Sequence, residues 1–202
     1  MTKDEHQSRT ARSYKLILLF AMVSMTMMFA GLTSAFVVSK SRVDWLKDFQ
    51  LPPAFFISTF AILASSITFH LAKKAIQKDN QKATSQWLLV TLVLGVAFVV
   101  LQFIGFGQIV AKGYYFTGPA SSITTTFLYI VTVMHLLHLA GGLISLLIII
   151  YNHFKQKYSA TQSLGIELGV MYWHFLDLLW VYLFLFLRMQ RYNKNWSHAI
   201  KS

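Results

Sequence analysis

Cysteine is absent from the 202 residues. That removes disulfides, iron–sulfur clusters, zinc–thiolate sites and thiol nucleophiles together, and leaves the compartment open. Charge is scarce as well: Asp, Glu, Lys and Arg make up 12% of the chain, about half the usual soluble share. Acids are the scarcer sign, 7 against 18 Lys and Arg, which leaves a net charge of +11. A compact soluble domain of this size lacks the charge to cover its surface. What is abundant is apolar: 55% of the residues, including 17 Phe. Intrinsic disorder needs low hydrophobicity and is excluded. The remaining class is an integral membrane protein. In a soluble protein the basic excess would point to nucleic acid. Here Lys and Arg lie between long apolar runs, so they read as loops against anionic lipid headgroups, with no nucleic-acid partner.

The charges mark out the spans. Between Lys15 and Lys40 there are 24 uncharged residues, about 36 Å of helix against a hydrocarbon core of about 30 Å. Uncharged stretches also separate Asp48 from Lys73, Lys82 from Lys112, and Lys112 from Lys155. The last is too long for one span, and Gly118-Pro119 breaks it early. The pattern predicts an all-α integral membrane bundle of five transmembrane helices, at about 15–39, 52–72, 84–111, 122–151 and 168–187. A polar segment at 1–14 precedes the 15–188 domain, and a polar tail at 189–202 follows it. Continuous apolar runs do not fit β-barrel strands, which alternate. The first run is far longer than a signal-peptide core, so it reads as a retained helix. Pro52-Pro53 suits the start of the second helix, where a missing N–H costs nothing. Lys and Arg count 10 on the N-terminal side and 8 on the other, a small bias towards a cytoplasmic N-terminus and a periplasmic C-terminus.

An ionisable group at bilayer depth costs at least about 2.5–3.5 kcal/mol, so each one needs a reason. Asp177 falls near the centre of the fifth helix, with His174 three residues before it on the same face. Glu167 shares that face nearer the membrane surface. Such a pair serves either as a proton relay or as an interhelix lock. His135 and His138 have the same spacing in the fourth helix, with Gly141-Gly142 following. They read as interhelical hydrogen-bonding groups or as ligands to haem or another metal. One helix cannot place both on opposite faces of a haem. His70 sits near the end of the second helix, and Gln102 in the third is a hydrogen-bonding position. Trp173 and Trp180, seven apart, share a face. Eight Met read as flexible packing rather than copper ligands. These histidines form no closed ligand set, so no catalytic, cofactor or metal site is expected within the chain.

The run Tyr172-Trp173-His174-Phe175-Leu176-Asp177-Leu178-Leu179-Trp180 resembles the YWHFVDVVW signature of haem–copper oxidase subunit III. The order of the rest agrees. Phe127, Thr132, His135, His138, Gly141 and Gly142 resemble the family's F-x-x-x-TG-x-HGLH-x-x-GG. Trp87, Thr91, Gly95, Phe98 and Gln102 are similar to its W-L-x-x-T-x-x-x-G-x-x-F-x-x-x-Q. Ser65-Ser66, Thr68, His70 and Ala72 are similar to SSxTxHxA. Five helices resemble the bacterial form that lacks the first two of seven. Met25 stands where many relatives carry an acid linked to carbodiimide labelling, and Gly105 stands where another acid is usual. Val133 and Leu136 replace two family glycines.

The resemblance implies an accessory subunit without redox centres in a proton-pumping terminal oxidase that reduces O2 to water, fed by cytochrome c or quinol. It implies haem and copper in partner subunits I and II, bound phospholipid, stabilisation of subunit I and support of proton uptake. It also implies a place in the bacterial inner membrane, with a respiratory supercomplex as a further partner. Two other readings stand beside it: a small independent membrane transporter using His174 and Asp177, and a haem-binding membrane cytochrome using His135 or His138.

Overall fold

The computed structural model describes residues 3–41, 52–116, 122–159 and 162–199, with side chains described from 9 to 189 within them. Five helices carry the chain: α1 (Lys3–Val38), α2 (Pro53–Gln77), α3 (Gln81–Ala111), α4 (Ile123–Phe154) and α5 (Leu164–Ala199), with a single 3-10 turn at Ser39–Ser41 after α1. Each is long and apolar enough to cross a membrane. Among the described residues there is no strand, only an isolated bridge between Ser159 and Gln162.

The helices run past the expected span ends. The segment read as a polar extension before residue 15 is helical from Lys3, and the tail expected beyond residue 188 continues as helix to Ala199. Charges mark where a chain leaves the hydrocarbon, not where its helix stops. Neither extension holds Gly or Pro, so a helix nucleated in the membrane propagates through them. For the same reason the second connection, expected over Lys73–Lys82, shrinks to Lys78–Asn80. The Gly118-Pro119 break and the first connection fall outside the described residues.

The actual stops have local chemistry. In α2, the N–H of Asp79 donates to Ile76 O (2.9 Å) and that of Asn80 to Ala75 O (3.0 Å). The same paired pattern recurs after α3, through Gly113 and Tyr114, and after α4, through Gln156 and Lys157. Each is a Schellman close, which needs one residue in the left-handed region. Those residues are Asp79 (φ 55°), Gly113 (φ 79°) and Gln156 (φ 55°). Only Gly113 adopts that region without a Cβ penalty of about 1–2 kcal/mol. Gln156→Gly is therefore expected to stabilise the chain by about 1 kcal/mol, read as a higher midpoint of detergent or thermal unfolding. An unchanged or lower midpoint would contradict the assignment. Helix starts are capped in turn: Pro at the first position of α2, Asn80 accepting from the Ala83 N–H, and a Ser122–Thr125 capping box on α4.

Helix directions follow from residue pairs. Lys15 meets Glu167 at one end of α1 and α5, and Thr33 meets Tyr182 further along. Those helices therefore run parallel, about 150 residues apart in sequence. Between α2 and α5 the order reverses: Thr59 meets Trp180 and Ser65 meets Trp173. The short Lys78–Asn80 turn makes α2 and α3 an antiparallel hairpin. Helix α5 lies at the centre, packed by α2, α4 and α1, while α3 closes on α4. The main core gathers Phe55, Ile62, Phe69, Phe98, Leu139, Trp173 and Trp180. A smaller one joins α1 to α4 and α5 through Phe29, Val131, Leu179 and Leu183.

Candidate functional site

The nine-residue run in α5 lies at the middle of the bundle, and its two tryptophans organise it. Trp173 and Trp180 are each 1% exposed. Seven residues apart, they stand on one face of α5 and meet α2. The Trp173 Nε1–H donates to Ser65 Oγ (3.0 Å), and the Trp180 Nε1–H donates to Thr59 Oγ1 (3.1 Å). A buried indole N–H without an acceptor in hydrocarbon would carry its full desolvation cost, so α2 supplies hydroxyls at both positions. Space for the rings comes from glycine. A Cβ on Gly95 of α3 would lie 3.0 Å from the Trp173 ring, and one on Gly142 of α4 would lie 2.9 Å from Leu176. Close approach of backbones through small residues is the usual way helices pack in a membrane.

Hydroxyls and amides tie the hairpin to this centre. Gln102 Nε2 donates to Ser58 Oγ (2.8 Å), and Thr68 and Thr91 hydroxyls meet at 2.8 Å. Gln102 thus does hydrogen-bond between helices. Gly105 faces Phe55: a Cβ there would lie 2.7 Å from its ring. The phenyl fills the room that a longer side chain would need. Met25 is half-buried on α1.

His174 and Asp177 do share a side of α5, but they do not bond each other. The His174 Nδ1 meets Ser66 Oγ of α2 at 2.5 Å. Asp177 is buried, and neither of its oxygens has a hydrogen-bond partner among the described residues. Ser66 is therefore the partner of His174, a residue the sequence reading did not single out for that role. The SSxTxHxA stretch held the signal, since Ser65 and Ser66 serve neighbouring α5 groups. His70 joins this region rather than standing apart, with its ring 5.9 Å from that of His174. Glu167 instead pairs with Lys15 of α1 (2.9 Å).

His135 and His138 behave differently from each other and from the expectation of side-chain bonds between helices. The His138 Nδ1 meets Met134 O of its own helix at 2.7 Å. The interhelix bond at that position goes to the His138 carbonyl, from the Tyr172 hydroxyl (3.1 Å). The carbonyl four residues back is simply the acceptor the imidazole reaches first. His135 is fully buried in an aromatic box, its ring 5.1 Å from Trp180 and edge-on to Phe29 and Phe98. Neither of its nitrogens has a hydrogen-bond partner among the described residues. No three of His, Cys, Asp and Glu gather into a metal-holding group among the described residues.

The family model for cytochrome c oxidase subunit III matches residues 2–192. A cytochrome c oxidase subunit 3 from Spodoptera frugiperda is 30% identical over 140 residues, 68% of this chain and 87% of its own length. One from Alkalihalophilus pseudofirmus is 33% identical over 129 residues, covering 64% of this chain and 62% of its own length. The cytochrome bo(3) ubiquinol oxidase subunit 3 of Pseudomonas aeruginosa is 29% identical over 138 residues, covering 68% and 65%. The matches thus include subunits of oxidases named for either electron donor. With the signature helix buried at the centre of five spans and the match running over nearly the whole length, the chain belongs to the cytochrome c oxidase subunit III family.

Proposed function

We propose that this chain is the accessory subunit III of a proton-pumping terminal oxidase, packed beside subunit I and holding no redox centre of its own. The observation that carries the reading is the family match over residues 2–192, with the α5 signature used as the packing axis of the bundle. Four polar pairs inside the bundle bond one helix to another: Trp173 to Ser65, Trp180 to Thr59, His174 to Ser66, Gln102 to Ser58. That is the chemistry of a scaffold. Haem and copper then reside in subunits I and II, and O2 is reduced there. The chain's work is to stabilise subunit I, hold phospholipid at the interface and support proton uptake over many turnovers. Its place is the bacterial inner membrane, with the N-terminus cytoplasmic and the C-terminus periplasmic. A reporter fused after Ser202 is expected to behave as external, and a cytoplasmic signal from an intact fusion would overturn that orientation.

Deletion of the chain tests the function. The remaining oxidase should reduce O2 at first and then lose activity during sustained turnover faster than the complete enzyme. Equal endurance with and without the chain would contradict the reading.

A further inference from the structure

Three side chains between α3 and α4 are buried with polar atoms to spare. Gln102 and Thr132 are each 1% exposed, and His135 is fully enclosed. Gln102 Oε1, Thr132 Oγ1 and both ring nitrogens of His135 have no hydrogen-bond partner among the described residues. Thr26, Thr33, Thr59 and Thr91 each donate to the carbonyl four residues back in their own helix. Thr132 does not, so its hydroxyl is turned away from its own backbone while it stays inside the bundle.

The register of the two helices brings these groups level. Phe106 stacks on Tyr129 with ring centroids 5.2 Å apart, and Phe98 meets His135 at 6.2 Å, so α3 and α4 run antiparallel here. Gln102 lies one turn from each phenylalanine and falls opposite the turn from Thr132 to His135. Its Nε2 donates to Ser58 Oγ of α2 at 2.8 Å, which leaves the amide oxygen for α4. Phe29, Phe98 and Trp180 wall the histidine off from lipid. Polar groups that stand level yet do not reach one another are the setting in which a water bridges. We propose that one internal water is held here as part of the fold. It accepts from the His135 ring N–H, donates to Gln102 Oε1 and takes the Thr132 hydroxyl as its third partner. Three polar partners are the usual complement of a buried water. The bridge ties α3 to α4 in mid-span. Their side-chain hydrogen bonds among the described residues otherwise lie near one end, where His153 meets Ser85 and the Gln81 carbonyl. The site belongs to this chain alone, so it goes beyond the reading of the chain as an oxidase subunit.

The test is a cryo-electron microscopy map of the full-length chain in its native membrane complex, at a resolution that shows ordered water. One peak should lie within about 2.7–3.2 Å of Gln102 Oε1, Thr132 Oγ1 and a ring nitrogen of His135. Thr132→Val and Gln102→Leu each remove a partner, and each should lose the peak while the helices keep their places. A direct bond between Gln102 and His135, a Thr132 hydroxyl seated on the Leu128 carbonyl, no peak between the three side chains, or a peak that survives both variants would each overturn the proposal. The wild-type map decides even where a variant fails to assemble. A chain recovered in a complex other than an oxidase would defeat the proposed function instead, and the peak would still be read in that complex.

Discussion

Trp173→Ala is expected to cost about 3–5 kcal/mol, the range for truncating a buried aromatic, and to leave little of the chain assembled in the membrane. The indole is 1% exposed and touches three other helices. It packs on Gly95 of α3 and Gly142 of α4, stacks edge-on with Phe69 and donates to Ser65 of α2. Alanine would remove the filling of the seam and strip Ser65 of its donor at once. Trp173→Phe keeps part of the ring while losing the hydrogen bond, worth about 1 kcal/mol, so its cost should fall well below that of the alanine variant. Unfolding of the purified subunit in mixed micelles, followed by helicity, reads both. A cost below about 1 kcal/mol for the alanine variant would show that this ring is not the packing centre. The reciprocal change, Gly95→Val, places carbon where the ring already is, and overpacking of this kind costs about 1–3 kcal/mol.

The second large effect is expected at Asp177, from charge rather than size. This carboxyl is 3% exposed at the middle of a span, and neither of its oxygens has a hydrogen-bond partner among the described residues. A carboxyl at that depth is tolerated when protonated. Asp177→Asn keeps the shape and a neutral polar group, so assembly and turnover should match wild type. Asp177→Lys places a permanent cation there, at about 2.5–3.5 kcal/mol or more, and should abolish accumulation of the chain. Ser66→Ala would strand the His174 ring, at about 1–3 kcal/mol. That should exceed the loss in Asp177→Asn. A proton relay makes the opposite prediction: full assembly of Asp177→Asn with sharply reduced turnover. That result would sink the structural account of this position.

Much of this was legible beforehand. Gaps between charges locate five spans because ions are expelled from hydrocarbon, and the seven-residue spacing of Trp173 and Trp180 places both on one face of α5. The helix ends were less legible, because leaving the membrane and ending a helix are separate events; Asp79 and Gln156 end helices in a conformation their side chains disfavour. The partner of His174 could not be read either. Spacing of three puts Asp177 on the same face, but the bond goes to whichever hydroxyl the next helix brings level. That level is set by the α2–α5 register, fixed by Trp173 on Ser65 and Trp180 on Thr59. The aromatic box of His135 was hidden for the same reason, since Phe29, Phe98 and Trp180 come from three separate helices.

The central claim is membership of an oxidase in which other chains carry the redox centres. Its most direct measurement is affinity purification of the tagged, full-length chain from its native membrane in mild detergent, followed by a reduced-minus-oxidised visible spectrum and separation of the subunits. The account predicts that haem and copper co-purify in stoichiometric amount, that O2 is consumed with cytochrome c or quinol as donor, and that both cofactors stay with larger partner chains when the subunits are parted. A tagged chain that emerges folded and alone, or one that keeps haem after its partners are removed, would contradict it.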